Sequence, residues 1–106
     1  ETAGVQNPVN FRWNSSTTLG SKMAAGQSLS ITLILATTDT SRAPDSIHDV
    51  HIDDADVTTL WLGNAAAPTD DPGSAGKKDH DVYTFNVLKT TSGYTVLASK
   101  VRFGLN

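Results

Sequence analysis

Cysteine is absent from this 106-residue chain, glutamate occurs once, and no apolar run approaches the length of a membrane-spanning helix. Without cysteine there is no disulfide framework and no thiol nucleophile, so a packed core or an oligomer has to supply stability. Without a window of about 18 apolar residues no membrane span is encoded. Basic residues are few and scattered: eight Lys and Arg, of which only Lys77 and Lys78 are adjacent, and the net charge is −3. A nucleic-acid binder carries a basic stripe, and this chain has none. No repeat recurs at a spacing of about 20 to 50 residues, which excludes a solenoid or propeller.

Threonine and serine are abundant, at 14 and 10 residues, and aspartate outnumbers glutamate ten to one. Such residues favour strands, turns and caps over helix surfaces, so an all-helical bundle is excluded. The length fits one domain with a modest core. Residues 1–8, with Gly4 and Pro8 and little apolar periodicity, read as an N-terminal arm or linker, and residues 9–106 as a single β-sandwich domain. The chain begins at Glu1 with neither Met nor a signal-like stretch, which reads as a piece processed or excised from something longer.

Period-two alternation recurs along the chain. Val9, Phe11 and Trp13 share one face of a short strand. Leu19 and Met23 suit a single helical turn closed by Gly26. The clearest strand is 27–37, with Leu29, Ile31, Leu33 and Leu35 on one face and Ser28, Ser30, Thr32 and Ile34 on the other. Strands over 47–53 and 57–62 flank a tight hairpin at Asp54-Ala55, with Val50 and Ile52 facing inward, and Val57 aligned with Thr59 and Trp61. After a long Pro- and Gly-containing loop over 64–80, Tyr83, Phe85 and Val87 alternate in a strand over 81–89, and 94–103 forms the last strand. Six to seven short strands predict an all-β fold, an antiparallel, jelly-roll-like β-sandwich.

The densest cluster of polar chemistry is His48-Asp49-Val50-His51-Ile52-Asp53-Asp54-Ala55-Asp56. Zinc needs ligands converging from one side, and His48 and His51, an odd number of residues apart, point to opposite faces of a strand. A calcium loop needs a glycine and a terminal bidentate acid, both missing here. The cluster therefore reads as turn-forming and solubilising, with a structural cation site as the alternative and no metal ligand, cofactor site or catalytic residue assigned. A second acidic group, Asp70 and Asp71 with Asp79 and Asp81, lies in or beside the long loop, with Lys77 and Lys78 as counter-charge. Every acid sits in polar, turn-like sequence, without the apolar pocket that tunes a glycosidase carboxyl, and no glycine-flanked serine elbow occurs. The chain is expected not to be an enzyme. Candidate surface contacts are Trp61, Tyr94, Asp70, Asp71, Lys77 and Lys78; the other aromatics fall in alternating strands and read as core.

From Leu19 to Gly104 the chain resembles a small β-rich domain common in tail-fibre and other virion structural proteins of marine tailed phages, especially cyanophages. The resemblance is carried by Met23 before Gly26-Gln27-Ser28-Leu29, Ile52-Asp53, and Val57-Thr58-Thr59-Leu60-Trp61 with Gly63 and Ala67-Pro68. It continues in Asp81-Val82-Tyr83-Thr84-Phe85, Lys89-Thr90, Tyr94-Thr95-Val96-Leu97-Ala98-Ser99-Lys100 and Phe103-Gly104. The family usually has glycine after the aspartate of the first hairpin, where Asp54 stands here. The loops over 38–49 and 68–80 are more charged and individual to this chain. The resemblance brings no catalytic residues. It implies a virion structural protein in an extracellular particle, homo-oligomeric with a trimer favoured, contacting other virion proteins and a host-surface glycan. The alternatives are a capsid cement or decoration protein gripping the lattice with residues 1–13, and a free-standing carbohydrate-binding module using Trp61 or Tyr94.

Overall fold

Alternation of apolar and small polar residues produces seven strands: β1 (Asn7–Phe11), β2 (Ser28–Thr37), β3 (Ile47–Ile52), β4 (Ala55–Asp56), β5 (Thr58–Trp61), β6 (Asp79–Lys89) and β7 (Tyr94–Phe103). The computed structural model describes residues 7–37, 47–64 and 79–103. Two sheets form, one ordered β1-β3-β4 and the other β2-β6-β7-β5. Their inner faces meet in one core. Tyr83, Phe85 and Val87 of β6 and Val96 and Ala98 of β7 are buried against Val50 and Ile52 of β3, with Phe11 and Leu19 closing over them. Phe11 meets Phe85 edge-on across the sheets at 5.2 Å, a favoured geometry for an aromatic pair. Leu29, Ile31 and Leu33 pack on the rim of this core, as the alternation in β2 requires.

The fold is the expected all-β, two-sheet architecture, but the sheets are mixed rather than purely antiparallel. β1 pairs with β3 in parallel, and so does β5 with β7. Side-chain alternation is the same in either direction, so periodicity carries no information on strand polarity. The jelly-roll part of the expectation depends on connections through 38–46 and 65–78, which lie outside the described residues.

Three local features also differ. The arm expected over 1–8 gives way to strand already at Asn7. β1 ends at Phe11, which leaves Trp13 exposed, with the Lys22 ammonium 5.5 Å from its ring, instead of inward beside Phe11. Leu19 and Met23 do turn down onto the core, but through a turn in which the Lys22 amide donates to the Leu19 carbonyl, not through a helix.

The hairpin lies one residue earlier than expected, at Asp53-Asp54, so that His51 faces Asp56 and Ile52 faces Ala55. Both turn residues have positive φ, 52° and 70°, as a two-residue turn of this hand requires. Past Asp56 the chain does not continue alongside β3. Val57 still donates its amide to the Val50 carbonyl, whereas Thr58 pairs with Thr95 of the other sheet. One residue thus carries the chain between the layers.

Candidate interaction surface

Register fixes what each face of the four-stranded sheet presents. Inward positions of β6 and β7 hold the core and also all their charged side chains described: Asp81, Lys89, Lys100 and Arg102. Asp81 is buried, and its carboxylate accepts from the Arg102 guanidinium at 2.6 and 2.9 Å, with the Lys100 ammonium 3.7 Å away. The sequence expectation placed Asp81 in a solvated acidic group. Its position two residues before Tyr83, on the inward face, overrides that.

The outward face carries no Asp, Glu, Lys or Arg among the described side chains; His80 at one end is its titratable residue. Rows across the sheet read Ile34-Val82-Val101, Thr32-Thr84-Ser99, Ser30-Asn86-Leu97-Leu60 and Ser28-Leu88-Thr95-Thr58. Ile34, Leu60, Leu62, Val101 and Phe103 are each more than half exposed, and Leu97 nearly so. Among the described residues, Trp13 is the large exposed apolar side chain that lies elsewhere. Leu60, Leu62, Asn86, Leu97 and Ser99 border a shallow depression of about 360 Å³ on this face. On a chain of net charge −3, exclusion of every formal charge from one sheet face is a feature of a contact surface, because charges are what the centres of interfaces lack.

At the hairpin end the chemistry is polar. The Asp53 carboxylate accepts from the backbone amides of Leu19 (2.7 Å) and Gly20 (3.0 Å), which pins the 18–22 turn to the small sheet. Asp54, in the left-handed region where glycine is favoured, is held from both sides: its amide donates to Asn10 Oδ1, and its carboxylate accepts from Asn10 Nδ2 and Arg12 Nη1. Tyr94 approaches the same clamp, and a Cβ on Gly20 would stand 3.0 Å from its hydroxyl. That hydroxyl is enclosed beside the Asp53 carboxylate, short of good hydrogen-bonding geometry. Burial first, and then the negative charge of Asp53 and its closeness as an acceptor, raise it above the ordinary tyrosine range. An open cleft of about 650 Å³ runs between the hairpin and the β6–β7 turn, past Asp53, Thr58, Ser92 and Tyr94.

On the outer side of the small sheet, His51 Nε2 lies 3.1 Å from Asp49 Oδ2 and 2.8 Å from Asp56 Oδ1. Comparing His48 with His51 misses this group. Asp49 and His51 are two apart on β3 and so share a face, and the turn at Asp53-Asp54 sets Asp56 directly opposite His51.

Of the sequence-predicted contacts, Trp61 and Tyr94 lie among the described residues. Trp61 is half-buried, its ring 6.5 Å from Phe85, and Tyr94 is half-buried with the Lys89 ammonium 4.7 Å from its ring centre. Asp70, Asp71, Lys77 and Lys78 lie outside the described residues. Compared with protein-family models, with curated proteins and with solved structures, the chain finds no match.

Proposed function

We propose that the chain is a non-catalytic structural module of a phage virion, a tail-fibre or appendage domain that packs against copies of itself through the uncharged outer face of β2-β6-β7-β5. The reading is supported by the ordered resemblance from Leu19 to Gly104 and, above all, by that face. A surface without formal charge brings no like charges together when it meets its own copy, whereas most other faces of an acidic chain would. At the usual strand spacing and rise it covers roughly 500 to 600 Å² per copy, about 1,000 Å² or more for a pair, which reaches the size of a specific interface. A small core without disulfides also gains from such burial.

Purified phage particles from the source of this sequence, digested and analysed by mass spectrometry, are expected to contain the chain, and sedimentation equilibrium of the chain alone to give a closed oligomer, a trimer for a fibre module. Recovery only from the host-cell fraction overturns the virion role. A monomer at all concentrations overturns the self-packing face. Many copies on the head in particle images would replace the appendage with the decoration alternative.

A further inference from the structure

We propose that Asp49, His51 and Asp56 form a binding site for a divalent transition cation of the zinc type, which staples β3 to β4 across the hairpin. The three ligand atoms, Asp49 Oδ2, His51 Nε2 and Asp56 Oδ1, all lie within 4.8 Å of one another. Donors sharing one ion at about 2.1 Å stand about 3.0 to 3.4 Å apart in octahedral or tetrahedral arrangements. Of the two separations from the imidazole, 3.1 Å falls in that range and 2.8 Å just below it. Asp56 is 83% exposed, so its carboxylate is free to swing and close the remaining distance.

The site is built by strand geometry rather than by a flexible loop. Residues two apart on β3 supply two ligands on one face, and the directly opposed residue of β4 supplies the third from about 5 Å away. Strand β1 flanks this face, with Asn10 beside His51 in register. The nearby cation, Arg12, is taken by Asp54. Among the described residues no lysine or arginine pairs with Asp49 or Asp56, and the His51 imidazole is the group both carboxylates face. A divalent ion seated among the three gives a neutral centre with the two carboxylates.

The donor set selects the class of ion. An imidazole nitrogen with two carboxylates suits zinc and its first-row neighbours, whereas calcium and magnesium take oxygen ligands. Three protein ligands on an exposed face leave at least one position for water. In a chain without disulfides, such a staple fixes the hairpin register at the point where the chain leaves one sheet for the other. The proposal is independent of the virion reading and holds for the monomer.

The test uses zinc chloride and magnesium chloride with the full chain, followed by thermal unfolding and isothermal titration calorimetry at pH 7.5. Zinc is expected to bind one-to-one and to raise the melting temperature by about 4 °C or more at saturation. Magnesium should give no shift. Asp56→Asn, at an exposed position that leaves the fold intact, should weaken zinc binding at least tenfold, and His51→Ala should abolish it. No zinc binding by the wild-type chain, an undiminished zinc shift in both variants, or an equal response to magnesium overturns the proposal.

Discussion

Asp81 and Arg102 stand directly opposite one another on β6 and β7, and their paired contacts at 2.6 and 2.9 Å enclose a carboxylate that is almost wholly buried. Removing Asp81 takes away the buried carboxylate that the Arg102 guanidinium and the Lys100 ammonium share. Asp81→Ala is therefore expected to destabilise the chain by about 3 kcal/mol or more, read as a lower urea midpoint at unchanged slope. The double change Asp81→Leu with Arg102→Met should cost less than the single one, because it removes both charges and keeps the volume. A single variant within about 0.5 kcal/mol of wild type would show that the pair contributes little.

Asp53 is the clamp between the hairpin and the 18–22 turn. Asp53→Ala strands the amides of Leu19 and Gly20, and should cost about 2 to 3 kcal/mol. Hydrogen exchange of these two amides should accelerate in the variant, while exchange in β6 follows only the loss of global stability.

Tyr94 places its hydroxyl beside that clamp without good hydrogen-bonding geometry. Tyr94→Phe is expected to preserve or raise stability, by up to about 1 kcal/mol, and to make Gly20→Ala better tolerated, since the hydroxyl is what a Cβ there would meet. The pH dependence has a defined sign. The hydroxyl is held above its ordinary value of 10.0, so its contribution is fully present below pH 10 and is lost as pH rises through the higher folded value. Denaturation midpoints of the wild type should therefore fall faster above about pH 10 than those of Tyr94→Phe.

The uncharged sheet face gives a separate outcome. Leu97→Lys or Val101→Lys adds a charge at an exposed site, so monomer stability should change by less than about 0.5 kcal/mol. Self-association, measured by sedimentation, should weaken at least tenfold, because a second copy would meet a like charge in a desolvated contact. Unchanged association would place the contact elsewhere.

Most strands were legible because Leu29-Ile31-Leu33 and Tyr83-Phe85-Val87 alternate without ambiguity. Strand direction was not, since parallel and antiparallel neighbours impose the same alternation; hence β1 on β3 and β5 on β7 emerged only from the coordinates. The hairpin shift had a local cause: aspartate tolerates the left-handed region better than most residues, so Asp53-Asp54 could serve where Asp54-Ala55 was expected. That one-residue change decides whether Asp56 faces Asp53 or His51, and with it whether the acidic cluster is merely a turn. Asp81 was misjudged by reading its polar neighbours instead of its parity with Tyr83. The outer face was hidden for the opposite reason. In β7 both parities contain apolar residues, Val96 and Ala98 on one side and Leu97 and Val101 on the other, and only cross-strand register shows which side lacks a cover.

The parallel pairing of β1 with β3 has a mechanical consequence. Hydrogen bonds between strands lie across the strand axis, so tension applied along β1 past the register shift at Asn7 loads the pairs from Pro8–Asp49 to Phe11–Ile52 together, in shear. A ladder loaded this way does not peel one bond at a time. Whatever pulls on the N-terminal end of this domain therefore pulls through four register pairs at once, and through Phe11 seated on Phe85, before it can extract a strand.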